Sequence, residues 1–104
     1  MNKEKIVIAS GYFDPIHVGH LEYLKMANEL GDKLVVIINN DEQATLKKGK
    51  PFMAEKDRLE IVFALGIVDE VLISIDEDAS VCKSLEMVAR FHELSSLTFC
   101  KGGD

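Results

Sequence analysis

His17 and His20 are the side chains best suited to chemistry in this sequence. They lie three apart in Gly11-Tyr12-Phe13-Asp14-Pro15-Ile16-His17-Val18-Gly19-His20, so on a helix they share a face. Directly after a strand and a turn, that face belongs to a helix's first turn, where unpaired N–H groups and the dipole attract anions. Imidazole donates hydrogen bonds to phosphate oxygens, and two such donors suit a reaction that builds charge on a phosphoryl group. Gly19, between them, is expected to let a ligand approach the backbone closely. A His pair also binds zinc, but no third ligand stands at a telling spacing.

A second group is cationic. Lys47, Lys48, Lys50, Lys56 and Arg58 are five of the 12 Lys+Arg residues, crowded into twelve positions of a chain whose net charge is −6. Beside the histidines they read as a phosphate clamp, and alone they read as a solvated loop. A fixed guanidinium fork at Arg58 suits a phosphate or carboxylate.

These groups need a scaffold. Lys5–Ser10 is a β-branched run that reads as a buried parallel strand. A helix is expected over 17–30 with Leu21, Leu24, Ala27 and Leu30 inward, closed by a cap at Gly31. Strand 33–38 follows, and 42–52 reads as a mobile basic loop. A second helix is expected over 54–65 with Leu59, Val62, Phe63 and Leu65 mostly inward, stopped by Gly66. A strand within 68–75, a helix over 79–91 and a strand over 97–100 complete the order. Asp76-Glu77-Asp78 is read as serving the start of the third helix, and His92 as a surface or capping residue at its end. The alternation of strands and helices predicts an α/β, Rossmann-like three-layer α/β/α fold with a parallel sheet. Ligands then bind beyond the carboxyl ends of the strands, where segments 11–20, 39–50 and 101–104 converge.

At 104 residues and 47% apolar content the chain is one domain able to build a core. Its acidic balance argues against a nucleic-acid duplex as partner. No apolar run approaches the roughly 20 residues needed to span a membrane, and no signal-peptide core stands behind Met1, so a cytoplasmic location is expected. Cys82 and Cys100 are too few for a disulfide scaffold and read as buried free thiols.

The motif Gly-x-Phe-Asp-x-x-His-x-Gly-His at 11–20 resembles the signature of the cytidylyltransferase-like nucleotidyltransferase superfamily. The likeness is strongest to the branch of glycerol-3-phosphate cytidylyltransferases and heptose-phosphate adenylyltransferases. It extends through Leu30-Gly31-Asp32, Asn40-Asp41, Arg58, Val68-Asp69 and Lys101-Gly102-Gly103-Asp104. Phe13-Asp14-Pro15 is also similar to phosphopantetheine and nicotinate mononucleotide adenylyltransferases.

The resemblance implies transfer of CMP or AMP from CTP or ATP to a small phosphorylated metabolite, a sugar or polyol phosphate first, with release of pyrophosphate. Glycerol 3-phosphate, a heptose phosphate, phosphoethanolamine and FMN are all compatible acceptors. His17, His20 and Lys47 would then be catalytic. Tyr12 and Phe13 would contact the nucleotide through their backbone, and Gly19, Gly102 and Asp104 would belong to the same nucleotide site. Asp14 would orient the loop or organise metal-bound phosphates. Lys47, Lys48, Lys50 and Arg58 would hold the substrate, with Lys48 or Lys50 standing in for a family lysine at Gly49. Mg²⁺ would arrive with the triphosphate, and a homodimer is expected. Relatives continue past Gly-Gly-Asp into a strand and a helix with a Ser/Thr-rich opening, which the sequence is read as lacking. A partner subunit completing the site, or a non-catalytic nucleotide-binding remnant, is therefore an alternative expectation. A flavodoxin-like binding module is the remaining one.

Overall fold

The computed structural model describes residues 3–101, so the expectations at Gly102 and Asp104 lie outside the described residues. The elements are β1 (Lys5–Gly11), α1 (Val18–Asn28), β2 (Lys33–Ile38), α2 (Asp41–Lys48), α3 (Glu55–Phe63), β3 (Glu70–Ile73), α4 (Cys82–Phe91) and β4 (Ser96–Lys101). All strand pairs are parallel, in the order β3-β2-β1-β4. The first three strands progress toward one edge. The connection through α4 then crosses back to the far side of β1. The order reverses between β1 and β4, which is where such sheets place their ligand crevice.

The two central strands alternate their side chains between two cores. Val7 and Ala9 of β1 with Leu34, Val36 and Ile38 of β2 pack toward Leu24 and Ala27 of α1 and Val62 of α3. Ile6 and Ile8 with Val35 and Ile37 pack toward Val88 of α4. Near-continuous burial along β1 and β2 follows from helices covering both faces, giving the three layers the sequence predicts.

Two aspartates fix the sheet's entry. Asp32 accepts from the Lys5 N–H at 2.8 Å while its own N–H donates to the Lys5 carbonyl. Asp69 does the same for Leu34. Gly31 precedes the first of these, and its role differs from the expected helix cap. A Cβ there would lie 2.8 Å from the Lys5 carbonyl oxygen and 2.8 Å from a Val7 methyl, so close backbone approach is what requires glycine. Gly66 does carry a positive φ of 79°, just beyond the end of α3.

Several expectations are corrected. The stretch read as a loop over 42–52 contains a helix, α2, because Asn40 and Gln43 form a capping box at its start. Leu30 and Phe63 are exposed: the first lies past the end of α1, the second on the outer side of α3. Cys82 is exposed at the start of α4 and Cys100 is half-buried, so neither is a sealed core thiol. Asp76 does serve the helix start, accepting from the Lys83 and Ser84 N–H groups. Ser84 and Ser74 hydroxyls bind the same carboxylate. Burial raises its pKa, but these hydrogen bonds outweigh that and hold it below the usual carboxylate value. His92 caps α4 at its end, with Nε2 3.3 Å from Glu70 Oε1.

Candidate active site

The chain leaves β1 at Gly11 and turns through Phe13, whose φ of 52° is strained for a residue with a Cβ. Phe13 is held there because its ring is wholly buried in the core. The ring also lies 5.0 Å from that of His20. The turn delivers His17 to the N-cap of α1 with extended backbone.

The two imidazoles cap the helix reciprocally. His17 Nδ1 accepts from the Gly19 N–H at 3.1 Å, and His20 Nδ1 accepts from the His17 N–H at 3.1 Å. A neutral ring that accepts at Nδ1 carries its proton on Nε2, so the capping sets the tautomer of both. Each ring thus carries its N–H on Nε2, on the side away from the helix backbone. The ring centroids are 4.1 Å apart. His20 is 7% exposed, whereas His17 is open to solvent. Gly19 proves necessary for a reason other than ligand access: a Cβ would sit 2.9 Å from His17 Cε1, in the space the capping ring fills.

Both rings border a cleft of about 240 Å³ shared with Tyr12, Asp14, Lys47 and Lys48. Lys47 Nζ lies 4.4 Å over the Tyr12 ring, a cation–π contact. Lys48 pairs with Asp14, Nζ to Oδ2 at 2.9 Å. The Asp14 carboxylate also accepts from the Phe52 N–H at 2.8 Å and the Met53 N–H at 2.6 Å. Burial pushes the Asp14 carboxyl up, but Lys48 and the two backbone donors outweigh it and hold it below the usual range. Of its two expected roles, the geometry matches loop orientation: Asp14 straps residues 52–53 and Lys48 to the histidine turn.

The cationic cluster divides. Lys47 and Lys48, on the last turn of α2, border the cleft, whereas Lys50 is exposed and lines neither cavity described here. Arg58 is a correction. Its guanidinium is 0% exposed and donates to the carbonyls of Met53, Tyr12 and Asn39 and to Asp41 Oδ1, all within 2.9 Å. It knots the β1, β2 and α3 approaches together and presents no open face to a phosphate. Backbone carbonyls without other donors compete for a guanidinium more effectively than a solvated ligand, and no local pattern of residues marks them in advance.

A second cavity, of about 300 Å³, lies on the other side of Tyr12. It is formed at the carboxyl ends of β1 and β2, the start of α4 and Phe99 of β4. Among the described residues no Lys, Arg, His, Asp or Glu lines it. The Tyr23 hydroxyl, which accepts from the Ser10 N–H and reaches the Cys100 carbonyl, ties β1 to β4 beneath it. Sequence reasoning passed over Tyr23, Asn39 and Gln43. Only the Asn40-x-x-Gln43 capping pattern was there to find.

The cytidylyltransferase-like family profile matches residues 8–95. An FAD synthase of Pyrococcus abyssi is 45% identical over 73 residues, 69% of this chain and 49% of that protein. An FAD synthase of Thermococcus sibiricus is 42% identical over 92 residues, 86% of this chain and 60% of that protein. The bifunctional protein HldE of Campylobacter concisus is 45% identical over 78 residues, 73% of this chain and 16% of that protein. The chain thus spans about half the length of the FAD synthases it matches. The crystal structure of a lipopolysaccharide core biosynthesis protein from Thermoplasma volcanium superposes with a TM-score of 0.74 at 25% identity, over 97% of this chain and 98% of that one. With the imidazole pair at the start of α1, the parallel sheet and the match over residues 8–95, this chain belongs to the cytidylyltransferase-like family.

Proposed function

We propose that the chain transfers a nucleoside monophosphate from ATP or CTP to a small phosphorylated acceptor. A phosphate oxygen of the acceptor attacks the α-phosphorus, the bond from that phosphorus to the bridging oxygen breaks, and pyrophosphate leaves. No enzyme-bound covalent intermediate is needed, so positioning and charge stabilisation carry the rate. The Nε2–H groups of His17 and His20 donate to the phosphate oxygens on which charge develops. Lys47 borders the same cleft as a counter-charge, beside Lys48 in its pair with Asp14. The observation that carries this reading is the reciprocal capping, which sets both imidazoles in one tautomer at the border of a cleft shared with Lys47 and Lys48.

Mg²⁺ was expected with the triphosphate. Among the described residues no three His, Cys, Asp or Glu side chains stand together as a ligand set. The Asp14 carboxylate is already occupied by Lys48 and two N–H groups. The residues described do not form a cage for the ion.

For the acceptor, FMN with ATP is the first choice. FAD is FMN joined to AMP, the FAD synthases are among the strongest relatives, and the second cavity, whose lining among the described residues is uncharged, has aromatic walls at Tyr12 and Phe99. A sugar phosphate is the second reading, favoured by the likeness to HldE. A homodimer acting in the cytoplasm remains part of the proposal. No helix among the described residues is long and apolar enough to cross a membrane. The test is a matrix of ATP or CTP against FMN, glycerol 3-phosphate and a heptose phosphate, with pyrophosphate as readout. Pyrophosphate with ATP and FMN supports the first reading, and with a sugar or polyol phosphate alone the second. Tight nucleotide binding without pyrophosphate from any pair refutes transfer and leaves a binding remnant.

A further inference from the structure

Among the described polar side chains that border the second cavity, that of Asn39 is buried and has hydrogen-bonding capacity left partly unused. Asn39, 4% exposed, follows β2 and borders the cavity. Its N–H donates to the Gly11 carbonyl and its own carbonyl accepts from Arg58. Among the described residues its carboxamide makes one hydrogen bond, Nδ2 to Gln43 Oε1 at 3.2 Å.

The orientation of that carboxamide follows from its neighbours. Gln43 is fully buried, and one end of its amide lies 2.6 Å from the Asp78 carbonyl oxygen and 2.8 Å from that of Ser80. Carbonyl oxygens only accept, so that end is the NH₂ group. The other end lies 2.9 Å from the Asn40 N–H and must be the oxygen. The Asn39 atom beside an accepting oxygen must then be nitrogen. Asn39 Oδ1 is therefore turned away from Gln43, and it accepts from no donor among the described residues. No sealed side-chain oxygen or nitrogen among them lacks a partner, so Oδ1 keeps open surface, and the open space Asn39 borders is the cavity.

We infer that Asn39 reads the acceptor substrate: its Oδ1 accepts a hydrogen bond from an uncharged N–H or O–H group of the molecule in this cavity, and Gln43 is the positioning residue that fixes which way the amide faces. The inference rests on the proposed transfer, in which the imidazole cleft takes the phosphates and Tyr12 is the wall common to both spaces. The remaining lining, with Val81, Leu85 and Phe99 beside Ser10 and Ser80, suits a neutral, partly apolar group. The imide N–H of a flavin ring and a sugar hydroxyl share the required chemistry.

The experiment compares the wild type with Asn39→Ala for acceptor KM, kcat, ATP affinity and Tm. One hydrogen bond lost at this site raises the acceptor KM about tenfold, with kcat and ATP affinity little changed. A second arm needs no variant. Wild type is expected to prefer FMN over 3-methyl-FMN, in which the imide N–H is replaced, by about tenfold. For a sugar phosphate the matching deoxy compounds are used. Asn39→Ala should abolish that preference. If Asn39→Ala misfolds, the analogue comparison in wild type decides alone. Failure of the transfer reading shows separately, as no pyrophosphate from wild type. In that event quenching of FMN fluorescence measures binding, and the same tenfold loss still supports the assignment. An unchanged acceptor affinity in Asn39→Ala, no preference between paired analogues, or no binding of any acceptor to wild type overturns it.

Discussion

Gly19→Ala separates the histidine geometry from the fold that carries it. The new Cβ would stand 2.9 Å from His17 Cε1 and 3.1 Å from Nδ1, against the 3.4 Å at which ordinary contact begins. The ring must retreat by about 0.5 Å, which breaks the 3.1 Å bond from the Gly19 N–H and releases the Nε2 donor from its set direction. Misplacement of a catalytic group by 1 Å costs about a hundredfold, so kcat should fall between about tenfold and a hundredfold. Stability moves in two directions. Losing the cap costs about 0.5–2 kcal/mol, while alanine improves on glycine in a helix by up to about 1 kcal/mol. The difference is small, so Tm should shift by no more than about 4–8 °C. The assay is pyrophosphate release beside a thermal melt of the same preparation. Full activity in Gly19→Ala, or a collapse in Tm, would refute the reasoning that glycine is there to seat the His17 ring.

Three further outcomes follow from the packing. Arg58→Met leaves the Met53, Tyr12 and Asn39 carbonyls without their donor, and should cost about 3–5 kcal/mol in urea unfolding, whereas an unchanged midpoint would mean the knot carries no stability. Gly31→Ala forces a Cβ to 2.8 Å from the Lys5 carbonyl and should destabilise by about 1–3 kcal/mol with little change in KM, read by melting and kinetics together. Asp14 and Asp76 both have folded-state pKa values below the ordinary one of about 3.9, so the folded protein binds fewer protons there than the unfolded chain. Their contribution is complete above about pH 4 and is lost as pH falls through the lowered values, so Tm should drop below about pH 4. Asp14→Asn and Asp76→Asn should each flatten that drop, and an acid limb identical to wild type in both would contradict the assignment.

The parts of the fold legible in the sequence were those where one physical signal dominates. β1 and β2 are apolar because both faces are covered, and the sequence bounds and the observed ones agree within a residue. The imidazole pair was legible because its spacing and its place after a strand are local properties, and the structure puts both rings on one cleft. α2 was hidden because Asp41–Lys48 buries only Gln43 and Ala44 and so shows no apolar stripe. Its stability comes from the Asn40–Gln43 box and from acidic residues at its start and lysines at its end. Arg58 was misjudged because burial of a cation depends on carbonyls contributed by Tyr12, Asn39 and Met53, far apart along the chain. The Asn39–Gln43 pair was invisible for the same reason: its meaning depends on carbonyls at 78 and 80.

The central claim is that two imidazoles with fixed tautomers stabilise a phosphoryl transfer. The most direct measurement is pyrophosphate release by wild type, His17→Ala and His20→Ala, each shown folded by its melting curve. The account predicts release by the wild type and a loss of about a hundredfold or more in each variant, with nucleotide still bound. Release undiminished in either folded variant would contradict it.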